Sequence, residues 1–82
     1  MPSVYSDDYQ RTIAALKAAR KARGITQASL AQAFGKPQSF IAKVENGERR
    51  LDVVEFVRLA RLVGIEPAEA LAEIGRGAPL AE

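Results

Sequence analysis

The residues best suited to recognition chemistry lie in one short segment, PQSFIAKVENGERR, at residues 37–50. On a helical wheel of about 100° per residue, Ile41 and Val44 point to the same side. The opposite arc carries polar side chains and one small residue: Gln38, Ser39, Ala42, Lys43 and Asn46. Amide, hydroxyl and ammonium groups can hydrogen-bond base edges or phosphates, and a small residue lets a helix sit deep in a groove. The segment therefore predicts a contact surface held in place by two apolar residues.

The composition argues against most catalytic and metal chemistry. The chain contains no cysteine and no histidine, so it offers no disulfide, no thiolate or imidazole metal ligand and no usual nucleophile–base pair. Its sequence has no P-loop and no dinucleotide-binding glycine pattern. We expect no enzyme activity, no cofactor and no metal. The absence of a signal-peptide pattern and of an apolar run near the roughly 18 residues of a membrane span predicts a soluble, cytoplasmic protein.

Charge is distributed unevenly along the chain, although the formal net charge is only +2. Residues 11–50 carry nine basic and two acidic side chains, whereas residues 51–82 carry three basic and six acidic ones. This asymmetry indicates a basic face in the first half, which is typical of proteins that bind polyanions. Charge alone leaves open the alternative that these residues form ordinary solvated helix faces.

The abundance of helix-forming residues predicts an all-α chain with a single core and five helices. Ile13 and Leu16 share one face of a first helix over residues 9–23. Arg20 falls on the same apolar stripe. A charge directed towards the core needs a partner.

Capping signals mark the ends of the second and third helices. Thr26 can cap the second helix, and Gly35 can adopt the positive φ that commonly ends one. Pro37 suits a first helical position because its missing N–H would be unpaired there anyway. We therefore expect the third helix to run from about residue 37, with Pro37 at its first position, to Asn46.

Similar signals predict two more helices. Asp52 and Glu55 have the spacing of a capping box for the fourth helix, and Pro67 is expected to start the fifth. Apolar spacings of three and four predict the inward residues of these helices. These are Val53, Phe56, Leu59, Ala60 and Val63 in the fourth helix, with Leu71 and Ile74 in the fifth.

The ordered segment ITQASLAQAFGKPQSFIAKVENGERR resembles the helix-turn-helix of the phage-repressor family, of the Cro and XRE type. Gln27 opens the motif, and Ala31 is the small residue where its two helices touch. Gly35 makes the turn, and Ile41 with Val44 locks the second helix onto the first. Each of these residues is common alone, but the whole ordered set is specific.

The resemblance covers about residues 11–74 and implies a compact, five-helix, lambda-repressor-like DNA-binding domain. We assign that domain to residues 9–75, with an N-terminal extension at 1–8 and a flexible tail at 76–82. The implied function is sequence-specific regulation of transcription, as a repressor that binds double-stranded DNA. Such proteins normally bind palindromic operators as homodimers. We expect the dimer surface on the fourth and fifth helices.

The resemblance also implies roles for the residues at matching positions. Gln38, Ser39 and Lys43 would read bases. The DNA backbone would be held by Gln27, Lys36, Asn46, Arg49 and Arg50. Arg20 and Glu45 would form a structural ion pair between the first and third helices.

Three positions near the recognition helix raise separate questions. Pro37 stands where the family commonly has a capping serine or threonine, so a less regular first turn is expected. Leu51 stands where many relatives have proline, which affects the loop. Phe40 lies between the two faces of the helix, and could either cover the edge of the core or press on a sugar-phosphate strand.

A second class of function also remains open from the sequence. An antitoxin or a regulatory subunit could use the same scaffold mainly for protein–protein interaction, with the tail around Leu80 as a docking segment. Salt dependence separates the two classes. The affinity of a DNA binder falls with salt at a logarithmic slope of about −0.9 per phosphate contact, whereas a hydrophobic protein complex should hardly respond.

Overall fold

A computed structural model describes residues 7–74 of the chain. Over that range the chain is all-α and has no strand. Its helices are α1 (Asp7–Ala22), α2 (Gln27–Phe34), α3 (Gln38–Glu45), α4 (Val53–Val63) and α5 (Pro67–Ala72). The predicted five-helix architecture is confirmed, whereas the tail expected at 76–82 lies outside the described residues, as does the expected extension before residue 7. None of these five helices combines the length and the apolar character needed to cross a bilayer.

The ends of α1 and α2 follow local signals in the sequence. α1 begins at Asp7 rather than at residue 9, and Asp7 and Asp8 occupy its first turn, where the helix dipole favours acidic side chains. The hydroxyl oxygen of Thr26 accepts a hydrogen bond from the backbone N–H of Ser29 at 3.0 Å, so the predicted cap of α2 is confirmed. Gly35 ends α2 with φ 81°, a conformation that is strained for other residues.

The start of α3 differs from the prediction. Pro37 is the N-cap of α3 and has no side-chain capping hydrogen bond, so its predicted place at the first helical position is wrong. Its φ of −64° suits a helix, but its ψ of 156° keeps the residue extended. Its carbonyl nevertheless accepts a hydrogen bond from the N–H of Phe40 at 2.9 Å. At the other end Asn46 is the C-cap, not the last helical residue.

The capping box predicted for α4 is present. The N–H of Glu55 donates to Asp52 Oδ1 at 2.7 Å, and the N–H of Asp52 donates to Glu55 Oε1 at 2.9 Å. The two side chains thus satisfy two backbone donors that the helix itself leaves unpaired. Pro67 is the first residue of α5, as predicted, and is buried.

α1 to α4 enclose one hydrophobic core. Its members are Ile13, Leu16, Leu30, Ala31, Phe34, Ile41, Val44, Phe56, Leu59, Ala60 and Val63. An isolated helix as short as α3, with eight residues, would be unstable in water. Burial of a side chain such as Ile41 or Val44 is worth about 1.5–3 kcal/mol relative to exposure. Contacts with the core therefore hold α3 in its helical form.

Three residues expected to face inward do not. Val53 is 66% exposed, Leu71 is 43% exposed and Ile74 is 45% exposed. Val53 is the first residue of α4, and α5 ends at Ala72, so Ile74 lies beyond its last turn. The apolar spacing correctly identified which side of each helix is apolar. No element among residues 7–74, however, packs over these three residues.

Candidate nucleic-acid interface

α3 has a buried and an exposed side. Ile41 and Val44 are 1% and 2% exposed, respectively. Gln38, Ser39 and Lys43, the three residues expected to read bases, are all exposed. α1 and α2 pack against the other side of α3. The structure thus leaves the polar side accessible to a partner.

A chain of hydrogen bonds connects α1 to the first residue of α3. Arg20 donates from Nε to Glu45 Oε2 at 2.6 Å and from Nη2 to Oε1 at 3.0 Å. Gln27 Nε2 donates to Glu45 Oε1 at 2.9 Å. Gln38 Nε2 then donates to Gln27 Oε1 at 3.3 Å. We refer to these four residues as the Arg20–Gln38 relay.

The charged end of the relay is buried and fully paired. The side chains of Arg20 and Glu45 are only 9% and 6% exposed. Arg20 also donates from Nη1 to the carbonyl oxygen of Ile25 at 2.7 Å. A buried charge is tolerated when it is both ion-paired and hydrogen-bonded, as these two are. The pair joins the last turn of α1 to the end of α3.

The relay determines which way its two amides point. An ionised carboxylate only accepts hydrogen bonds, so Gln27 turns its NH₂ group to Glu45 and its carbonyl to Gln38. Gln38 accordingly turns its own NH₂ group to Gln27. Its carbonyl oxygen and its second N–H then remain for a partner. One donor beside one acceptor is the pattern that matches the N7 and N6 groups of adenine in the major groove.

Two of the expected backbone-binding cations lie beside Phe40. The Nζ atom of Lys36 is 5.6 Å from the centre of the Phe40 ring, and Cζ of Arg49 is 4.8 Å from it. Arg49 also donates from Nη2 to Glu55 Oε2 at 3.2 Å, yet 43% of its side chain stays exposed. Phe40 itself is half-buried and stacks on the buried Phe34, with ring centres 5.6 Å apart. It covers the edge of the core and orients two cations.

The remaining expected backbone contacts surround the end of α3. Asn46 is exposed. Arg50 is exposed and holds its Cζ atom 5.2 Å from the centre of the Tyr9 ring. Tyr9 in turn accepts a hydrogen bond from the backbone N–H of Leu51 at 3.0 Å. A proline at position 51 has no N–H and could not donate this bond.

Comparison with known proteins identifies this arrangement. The Helix-turn-helix family model matches residues 16–69, a range that contains α2, α3 and α4 entirely. An XRE-family like protein from Pseudomonas syringae pv. tomato str. DC3000 has a similar solved structure. The TM-score is 0.78 and the sequences are 46% identical, over 88% of each chain. The chain belongs to the XRE-type helix-turn-helix family. No curated protein matches it.

Membership of the XRE-type family supports a role as a DNA-binding transcription regulator. The fold expected from the resemblance is confirmed as well, because the structural neighbour shares it over most of both chains. Among residues 7–74 no group of histidine, cysteine or acidic side chains could hold a metal ion.

The sequence of this XRE-type protein did not predict one contact that lies beside the candidate interface. Arg58, on α4, donates to the carbonyl oxygen of Phe34 at 3.1 Å and places Cζ 4.5 Å from the centre of the Phe34 ring. It therefore pairs with a carbonyl at the end of α2, where the helix has no donor of its own. No local sequence signal marks this role, because the contact spans 24 residues.

Proposed function

We propose that this XRE-type protein is a sequence-specific transcriptional regulator that reads the major groove of double-stranded DNA with α3. The observation that carries the proposal is the Arg20–Gln38 relay, which directs one donor and one acceptor of Gln38 outward beside Ser39 and Lys43. Amides suit adenine and cations suit guanine, and a good bidentate contact is worth about 1–3 kcal/mol of discrimination. The DNA-binding unit in this proposal covers residues 9–75.

Contacts with the sugar-phosphate backbone position α3 in the groove. We assign these contacts to Gln27, Lys36, Asn46, Arg49 and Arg50. Gln27 keeps one amide N–H beyond the one that it donates to Glu45. The exposed fraction of Arg49 leaves its guanidinium accessible despite its bond to Glu55. Such contacts supply affinity and register, whereas the base contacts supply specificity.

The protein acts as a homodimer on a palindromic operator, because one short helix reaches too few base pairs for specific binding. The subunits meet through the surface formed by Val53, Leu71 and Ile74. These exposed apolar residues line a common groove with the buried Phe56. Clustered apolar side chains on a surface often mark an interface. A bound dimer excludes other proteins from the promoter, and for this reason we assign repression.

A role as an antitoxin or a regulatory subunit is the second candidate. The same apolar groove favours it, since a groove of about 150 Å³ lined mainly by Tyr9, Leu51, Val53, Phe56 and Ile74 could receive an apolar segment of another protein. The two candidates differ in which surface is essential. DNA binding requires the polar side of α3, whereas a protein partner of this groove does not.

Selection of bound sequences from a random duplex pool tests the leading proposal. We expect a palindrome whose half-sites lie about one helical turn apart. The affinity for the selected duplex should fall with salt at a logarithmic slope of about −0.9 per phosphate contact. Failure to bind any duplex at low ionic strength would end this proposal. Salt-insensitive capture of a protein through the apolar groove would then favour the second candidate.

A further inference from the structure

An open groove of about 410 Å³ lies between α1 and the end of α3. Its lining includes Tyr9, Gln10, Ala14, Lys17, Asn46 and Gly47. Gln10, Ala14 and Lys17 follow spacings of four and three, so they form one stripe along α1. The small side chain of Ala14 leaves the middle of the groove open. The groove is wide enough to admit a charged group from a partner.

The groove has one cation whose charge is not neutralised by a neighbour. Lys17 is half-buried, and no acidic side chain among residues 7–74 lies within ion-pair distance of it. The carboxylate in the lining, Glu45, already accepts hydrogen bonds from Arg20 and Gln27. The groove therefore presents the net charge of Lys17 to an incoming anion.

The groove is continuous with the proposed DNA surface. Asn46, a proposed backbone contact, forms part of its lining. Arg50, another proposed contact, lies over the ring of Tyr9, which also lines the groove. A duplex strand that contacts Asn46 would therefore lie beside the groove that Lys17 lines. α1 thus extends the basic surface beyond the helix-turn-helix itself.

We propose that this groove binds one phosphate of the DNA backbone, outside the base pairs read by α3, and that Lys17 contacts that phosphate. Asn46 supplies an amide on the other side of the groove. This inference rests on the proposed function, since it requires α3 to lie in the major groove. It assigns α1 a direct part in binding the duplex.

The test uses the full chain and a duplex selected from the random pool. Lys17→Gln should lower the magnitude of the salt slope of the bound homodimer by about 1.8, because one phosphate contact is lost in each subunit. Lys17→Arg should keep the wild-type slope. Arg61→Gln is the matched control, because it removes one positive charge from an exposed position on α4 that does not line this groove. Circular dichroism spectra should show that all variants are folded.

Single neutral methylphosphonates placed along the duplex then locate the contact. In the wild-type protein one such substitution, outside the bases read by α3, should weaken binding about tenfold, which is the loss of one charge-assisted hydrogen bond. The same substitution should cost Lys17→Gln clearly less than it costs the wild type, since the charged part of the contact is already absent.

The outcomes separate this inference from the proposed function. If the wild-type protein binds its selected duplex but Lys17→Gln keeps both the wild-type slope and the wild-type methylphosphonate profile, the phosphate site is refuted and the proposed function stands. If the wild-type protein binds no duplex, both are refuted.

Discussion

Arg20 donates hydrogen bonds to both carboxylate oxygens of Glu45, 25 residues away along the chain, and both side chains are almost inaccessible to water. Removing one partner of such a pair leaves the other buried without its counter-charge. We expect Arg20→Ala and Glu45→Ala each to lower the free energy of unfolding by about 3–5 kcal/mol. Urea denaturation measures this change.

The double variant provides the check on this pair. Because neither charge remains uncompensated in it, the combined loss should be smaller than the sum of the single losses. Strictly additive losses would mean that the two residues stabilise the protein independently. Gln27→Ala should cost less than either single change, since it removes only a neutral donor from the carboxylate.

Base discrimination by Gln38 should depend on Gln27. Gln38→Ala should reduce discrimination at one base pair by about 1–3 kcal/mol. Gln27→Ala should weaken discrimination at the same base pair, because Gln38 then loses the acceptor that fixes its orientation. Affinities for the selected duplex and its single-base variants provide the measurement. Gln32→Ala, at an exposed position on α2, is the control. If Gln27→Ala weakened binding to all duplexes equally, Gln27 would contact only the DNA backbone and would not orient Gln38 for base reading.

Lys43 and Arg49 should contribute differently to DNA binding, with Lys43 supplying sequence preference and Arg49 supplying affinity for any sequence. Lys43→Ala should relax preference at one base position at a cost of about 1–3 kcal/mol, because its ammonium lies on the exposed side of α3. Arg49→Ala should weaken binding to all sequences alike and lower the magnitude of the salt slope by about 1 for each subunit of the bound dimer. Competition with duplexes of unrelated sequence distinguishes the two results. If both variants changed every duplex equally, the assignment of Lys43 to base reading would be wrong.

Phe40 should contribute to stability through its contact with Phe34. An aromatic pair adds about 0.5–1.5 kcal/mol beyond the area that it buries. We therefore expect Phe40→Leu to lower Tm by several degrees, given about 4–8 °C per kcal/mol for a domain of this size. Phe40→Tyr keeps the ring and should melt close to the wild type. A Tm unchanged in Phe40→Leu, together with weaker DNA binding, would instead assign the ring to the sugar-phosphate strand.

Local chemistry explains why much of the fold could be predicted from the sequence. The cap at Thr26, the turn at Gly35 and the box formed by Asp52 and Glu55 each depend on residues within a few positions of one another. The presence of five helices follows from such signals, and helical spacing predicts which side of α3 is buried. Val53 was mispredicted because apolar spacing shows which side of a helix is apolar and not whether another element reaches it.

The candidate site was only partly predictable, because its precise arrangement depends on distant contacts. The exposed side of α3 follows from helical spacing alone. The orientation of Gln38 does not, since it depends on Gln27 and, through Gln27, on Glu45. The contact of Arg58 with Phe34 likewise required α2 and α4 to be placed side by side.

The residues that hold α3 in place are largely separate from those on its exposed side. Ile41, Val44 and Glu45 fasten α3 through its inner side, and neither Ser39 nor Lys43 takes part in that attachment. Exchanging Ser39 and Lys43 for other polar residues should therefore retarget the protein to new operators while its architecture is retained. Gln38 is the less replaceable position, because any successor must also complete the bond to Gln27.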